Sequence, residues 1–327
     1  MTSPAVSCLA AGLCLFVMAG CSSKSAEAAG DAAVVRDSTT AHDGSSPGPK
    51  RDGGASHDAG HADVLRDAGV DHAVAPDGGD AAPLCSGLFG NPNAHTGLTL
   101  AECSPRCVYA ASTFAPPVYD AGFIQGLVTH FAPASPYAPL ASDPYEAGVP
   151  DADPPAMVCG VLEDPDASAI PRLYALVTYD SADAAVAAGA RVTNFGRCGV
   201  CSTLANLAVY MADNDLVAPV RACGEQTGGD VDADVTCLEK LGFDLPCAQA
   251  WAFDTKHTSS LCLSVCIADL SAPYNQPDGS LDPCIACDED ESGAVFKHVA
   301  GRTRRNSGLP NAICRPCSEV QPLVHSY

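Results

Sequence analysis

Apolar positions divide the chain into three stretches. Residues 5–20 form an apolar run of sixteen, and the first twenty residues carry no charged side chain. That is the length of a signal-peptide core, shorter than the roughly 20 residues a spanning helix needs. From Ser22 to Leu84 periodicity vanishes: Asp, Ala, Gly, Ser and Pro dominate, with eleven acidic and five basic side chains and neither cysteine nor aromatic residue. Such a stretch buries too little apolar surface to offset its chain entropy, and it reads as a flexible tether.

Patterning returns at Cys85. Phe123, Ile124, Leu127 and Val128 recur at helical spacing and predict a helix within residues 119–131, with Asp120 near its start. Seven prolines between residues 132 and 155 then predict a loop. Residues 173–179 alternate as a strand, residues 181–188 read as a short helix stopped by Gly189, and residues 191–195 as a second strand. Leu204, Leu207, Ala208 and Met211 share one helical face. Thr236 and Glu239 form a capping-box pattern closed by Gly242, and Pro246 suits a first helical turn. Acids at 288–291 followed by Lys297, His298, Arg302, Arg304 and Arg305 predict a single helix ending near Gly308, its charges opposing its dipole. The expected fold is α+β and disulfide-rich: a small sheet, several short helices and a Pro-rich N-terminal lobe. The expected organisation is a signal peptide at 1–20, a lipidated cysteine and tether at 21–84, a Pro-rich cysteine-containing lobe at 85–165 and a Cys-rich α+β lobe at 166–327.

Cysteine usage sets the compartment. Of 18 cysteines, 15 lie beyond residue 84, a density that argues against a reducing cytosol. An odd number leaves one outside intramolecular bridges, so seven bonds and one remainder is the simplest count. The net charge of −22 excludes a nucleic-acid-binding role, which needs a basic face to neutralise phosphates.

Met18-Ala19-Gly20-Cys21 followed by Ser22 resembles the lipid-attachment signal of bacterial lipoproteins. The resemblance implies cleavage before Cys21, a palmitate-bearing lipid on that cysteine, and location in the cell envelope as an outer-membrane lipoprotein, periplasmic or surface-exposed. The membrane, reached through that lipid, is then the one expected partner.

The most suggestive chemistry is Cys198-Gly199-Val200-Cys201, placed between a strand and an amphipathic helix. A cysteine at a helix N-terminus gains from free backbone N–H groups, which favour the thiolate. The segment resembles the redox loop of thioredoxin-like proteins, implying Cys198 as attacking and Cys201 as resolving thiol. It also resembles the nucleophile segment of papain-like peptidases, implying Cys201 as nucleophile with His298 and Asn306 as base and orienting amide. A purely structural role for both cysteines is the leading reading, with thiol-disulfide oxidoreductase and cysteine peptidase as alternatives. Two further pairs, Cys284/Cys287 and Cys314/Cys317, have zinc-like spacing, but in an exported chain disulfides are the expectation and no metal or cofactor is called for. Asp230, Asp232 and Asp234 lack the glycine and glutamate of a calcium loop. Arg302, Arg304 and Arg305 form a basic cluster in an acidic chain. They are candidates for binding a carboxylate or phosphate, whose oxygens guanidinium forks match. The expected role is binding or structural rather than enzymatic.

Overall fold

The computed structural model describes residues 87–109, 112–165 and 170–327. The expectations for the signal peptide, for lipidation at Cys21, for the tether 21–84 and for Cys85 lie outside the described residues. The fold is α+β and rich in disulfides, with eight helices, small sheets and seven bridges among the described residues.

Four two-residue strands come first: β1 (Leu88–Phe89), β2 (Cys103–Ser104), β3 (Cys107–Val108) and β4 (Thr113–Phe114). Pro92, Pro105 and Pro116 interrupt this stretch and keep its ladders short. α1 (Ala121–Thr129) follows, its first turn capped by the Asp120 carboxylate accepting from Phe123 N–H at 2.8 Å. β5 (Phe131–Pro133), β6 (Val158–Glu163) and β7 (Arg172–Tyr179) come next. α2 (Ala182–Ala187), capped by Ser181, leads to β8 (Arg191–Phe195). These strands form a four-stranded sheet in the order β5-β7-β6-β8, with β5 parallel to β7 and the other pairs antiparallel. β6 sits inside the sheet because Val158, Cys159, Gly160 and Val161 are all buried. Its glycine is a packing requirement: a Cβ at Gly160 would lie 2.8 Å from the Tyr179 ring. The sequence pattern does not announce β6, because a short unalternating run flanked by prolines reads as loop.

The rest is helical: α3 (Leu204–Ala212), α4 (Val217–Thr227), α5 (Val231–Lys240), α6 (Leu245–Ala268), α7 (Pro283–Glu291) and α8 (Gly293–Ala300). β9 (Arg315–Pro316) then returns to pair antiparallel with β1, and Cys103–Cys314 and Cys107–Cys317 bond the two ends of the described chain on either side of it. The largest core cluster joins the sheet to α3, α5 and α6 through Tyr174, Leu204, Leu207, Leu238, Cys247 and Ala250.

Three helical expectations are corrected. α5 starts at Val231 and not at the Thr236 capping pattern, because the Asp230 carboxylate caps it by accepting from Ala233 N–H at 3.0 Å. Asp232 and Asp234 in its first turn favour the same start. α6 is one helix of 24 residues, not a series of short ones. Its polar middle from Lys256 to Ser260 hides the period, while bridges from Cys247, Cys262 and Cys266 hold it at both ends. The single helix expected to reach Gly308 is instead two helices that break at Ser292 and stop at Gly301, where φ is +71°. The break is fixed by tertiary contacts: the buried Ser292 hydroxyl meets His257 Nδ1 at 3.0 Å and Thr258 Oγ1 at 2.8 Å, both on α6.

Candidate functional site

Cys198 and Cys201 are not bonded to each other. Cys198 pairs with Cys159 on β6, and Cys201, fully buried, pairs with Cys247 in the first turn of α6. Nor do the loop amides point at sulfur. Gly199 N–H donates to Ser202 Oγ at 3.0 Å, while Val200 N–H and Cys201 N–H donate to the Val299 and Ala300 carbonyls at 2.9 Å. Gly199 is required by this close approach, since a Cβ there would sit 2.3 Å from the Val299 carbonyl oxygen. The residues expected to complete a peptidase site are spent elsewhere. His298 Nε2 lies 3.2 Å from Arg197 Nη1, and the Asn306 amide donates to the Phe195 and Gly301 carbonyls at 2.7 Å. All fourteen described cysteines are in bridges, including Cys284, Cys287, Cys314 and Cys317.

The three candidate arginines have three different environments. Arg302 is fully buried and spends all five guanidinium N–H groups on Cys201 O, Thr193 O, Thr193 Oγ1, Ser202 O and Ser307 Oγ. It ties β8, the cysteine loop and the turn after α8 together. Arg305 is committed to acids, pairing with Glu289 and, at 2.8 Å, with Glu319. Arg304 is also buried, but it donates only to the Pro310 and Asp213 carbonyls and has no carboxylate within ion-pair distance among the described residues. Burial lowers the Arg304 pKa to about 10, still well above neutrality, so it stays a cation.

Arg304 and Arg305 line a cavity of about 1190 Å³ enclosed by α3, α4, α6, α7, α8 and the segment after α8. One side is aromatic. Trp251 of α6 packs on Phe296 of α8 with ring centroids 4.6 Å apart, Tyr210 of α3 lies 6.4 Å from Trp251, and the Arg304 guanidinium sits 5.6 Å from the Tyr210 ring centre. Carboxylates line the cavity as well. Asp254 accepts from the Tyr145 hydroxyl at 2.6 Å, Asp288 accepts from the Thr258 hydroxyl, and Glu289 binds Arg305 and, at 2.6 Å, Arg315. Burial, reinforced by the Asp288 charge, pushes the Asp254 carboxyl well above the usual range. Burial and the neighbouring Glu289 charge push Asp288 up to about 6, against the pull of the Thr258 hydroxyl and of Arg315 and Arg221. Burial thus favours the protonated form of Asp254, while Glu289 is paired with both Arg305 and Arg315.

Three buried polar atoms on this wall, Tyr210 Oη, Trp251 Nε1 and Asn311 Oδ1, lack a hydrogen bond of ordinary geometry. The Trp251 N–H faces the Tyr210 hydroxyl closely enough to favour the phenolate, but burial dominates and holds that hydroxyl up at about 12. Sequence reasoning passed over Tyr210 and Asp254 and read Trp251, on one helix face with Cys247 and Ala250, as a packed core residue rather than a ligand contact. The signal was there: Trp251, Asp254 and Thr258 continue the core-facing stripe of Cys247 and Ala250 at three- and four-residue spacing, so polar groups sit where apolar ones belong.

Residues 231–323, spanning α5 to the final segment and most of this wall, match a family of unknown function (DUF8771). No curated protein and no solved structure matches the chain.

Proposed function

We infer that this protein is an exported, lipid-tethered binding protein of the cell envelope, whose disulfide-stapled domain takes a ligand into the cavity between α3, α4, α6 and α8. One observation carries the reading: a cavity of about 1190 Å³ lined by Trp251, Phe296, Leu216 and Val220 together with the charged groups of Arg304, Asp288 and Glu289. Ligand sites are concave and mostly apolar, with a few convergent polar groups, and this cavity has that composition. The disulfides support export, since such bonds persist in oxidising compartments. Among the described residues no helix is long and apolar enough to cross a membrane; the attachment at Cys21 is proposed from its sequence context, Met18-Ala19-Gly20-Cys21-Ser22.

Trp251 is the only tryptophan in the chain and lies on the cavity wall, so its emission reports occupancy directly. Titration of the oxidised protein with fatty acids, aromatic acids, oligosaccharides and peptides is expected to give a saturable shift with one of these classes. No shift with any class would remove the binding role. Cys21→Ser is expected to move the protein from membranes to the soluble fraction, and unchanged membrane retention would remove the tether.

A further inference from the structure

Two carboxyls on the cavity wall have no cation. Asp254, 8% exposed on α6, accepts from the Tyr145 hydroxyl at 2.6 Å through Oδ1. Its Oδ2 has no hydrogen bond among the described residues and, unlike the sealed polar atoms of Tyr210 and Trp251, keeps accessible surface, which opens into the cavity that Asp254 lines. Asp288, in the last turn of α7, accepts from the Thr258 hydroxyl. Among the described residues neither carboxyl has Lys, Arg or His within ion-pair distance, whereas the adjacent Glu289 takes both Arg305 and Arg315. The other cations of the lining are placed elsewhere: Lys297 is exposed, Arg221 lies against Cys284 Sγ at 3.7 Å, and Arg304 donates to the Pro310 and Asp213 carbonyls. The break at Ser292 also leaves Asp288 at the end of α7 where the helix dipole disfavours an acid. Burial raises both carboxyls, reinforced by the Asp288 charge at Asp254 and by the Glu289 charge at Asp288. A cation brought in by a ligand relieves that repulsion and gives Oδ2 its donor.

The rest of the lining sets the body of that ligand. Trp251 lies one turn before Asp254 on the same face of α6, half-buried in the wall and packed on Phe296 at 4.6 Å. An aromatic face beside a carboxylate favours a cation a second time. Past Thr258 the α6 lining turns apolar at Leu263 and Ile267, which are 54% and 59% exposed, and Leu216 and Val220 extend the apolar surface. Asp254 and Leu263 are nine residues apart on one helix, about 14 Å at the helical rise, so the body is elongated as well as apolar. The net charge of −22 on the chain draws cations toward the protein and turns anions away.

We propose that the cavity binds the primary ammonium head of an elongated apolar ligand, the head donating to Asp254 Oδ2 with the Asp288 charge and the Trp251 ring beside it, and the body lying along α6 toward Leu263 and Ile267. This rests on the binding role inferred above and adds the class of ligand. Two sources carry such a head on an apolar body, the N-terminus of a peptide and an alkyl amine.

The test uses the full oxidised protein near neutral pH with trileucine amide, its N-acetyl form, decylammonium and 1-decanol as probes, read by Trp251 emission and by calorimetry. At least one ammonium probe is expected to saturate about tenfold or more tighter than its neutral counterpart, the contribution of a charge-assisted hydrogen bond. Saturation by trileucine amide identifies a peptide as the source, and saturation by decylammonium alone identifies an amine. Asp254→Asn keeps an acceptor for the Tyr145 hydroxyl and removes the charge. It is expected to weaken the ammonium probe about tenfold while the neutral probe, unchanged, reports an intact cavity. Asp288→Asn, which keeps the Thr258 contact, is expected to weaken the same probe to a smaller extent. Equal affinity for ammonium and neutral probes, or Asp254→Asn and Asp288→Asn variants that both bind the ammonium probe like the parent, would overturn the ligand class and leave the binding role standing. No binding of these four probes, nor of any class titrated above, would remove both.

Discussion

Replacing Asp288 by Asn should make the protein more stable at pH 8 and leave it nearly unchanged at pH 4. The carboxyl is raised from an ordinary 3.8 to about 6, first by burial and then by the Glu289 charge. A carboxyl raised on folding binds its proton more tightly in the native than in the unfolded chain. Its stabilising contribution is therefore fully present below pH 3.8 and is lost as pH rises through about 6. A rise of roughly two units at about 1.4 kcal/mol each is about 3 kcal/mol. Asn resembles the protonated acid, and its amide oxygen can still accept from the Thr258 hydroxyl, so the low-pH state keeps its contacts. The substitution also removes a charge that helps raise Asp254, which adds to the gain at high pH. Guanidinium titrations of the disulfide-intact parent and variant at pH 4, 5, 6, 7 and 8 measure the difference directly. A gap that opens between pH 4 and 7 and levels near 3 kcal/mol fits the linkage. Parallel curves, or a variant less stable at pH 8, would refute the assignment of Asp288 as a buried carboxyl held against its charge.

The remaining predictions concern the scaffold. Removing Cys201–Cys247, which closes 46 residues, should cost about 4 kcal/mol, and removing Cys223–Cys237, which closes 14, about 3 kcal/mol by loop entropy; mass mapping of the native protein should return Cys159–Cys198 and Cys201–Cys247 and no Cys198–Cys201 bond. Arg302→Lys cannot satisfy four separate acceptor residues from one ammonium and should lower stability by about 3 kcal/mol or more, seen as an earlier denaturation midpoint. Gly199→Ala places a methyl against the Val299 carbonyl and should destabilise by about 2 kcal/mol or more, whereas Gly228→Ala, with open space around its Cβ but φ at +61°, should cost about 1 kcal/mol. His325, buried beside Arg302, is pushed down to about 3. Its contribution is present above the ordinary 6.5 and is lost as pH falls toward 3, so His325→Gln should flatten the acid limb of the stability curve.

The sequence by itself determined the local elements whose signals are local. Asp120, Ser181 and Pro246 mark helix starts because a cap or a fixed φ acts within one turn, and the alternation of residues 173–179 marks β7 because pleating has period two. Cysteine parity likewise fixed the number of bridges that could form, and all fourteen described cysteines do form them. Tertiary structure alone decided which cysteines meet. Cys198 finds Cys159 because β6 pairs with β8 in the sheet, and Cys201 finds Cys247 because α6 begins beneath the loop, distances of 39 and 46 residues that no spacing rule encodes. It also decided that α6 runs unbroken while the following helix breaks, since Ser292 is held by His257 and Thr258 across the helix interface rather than by neighbours in sequence. The three arginines 302, 304 and 305 read alike as a basic run, yet one is saturated, one is paired and one faces the cavity, because donors are consumed by whatever acceptors folding brings within 3 Å.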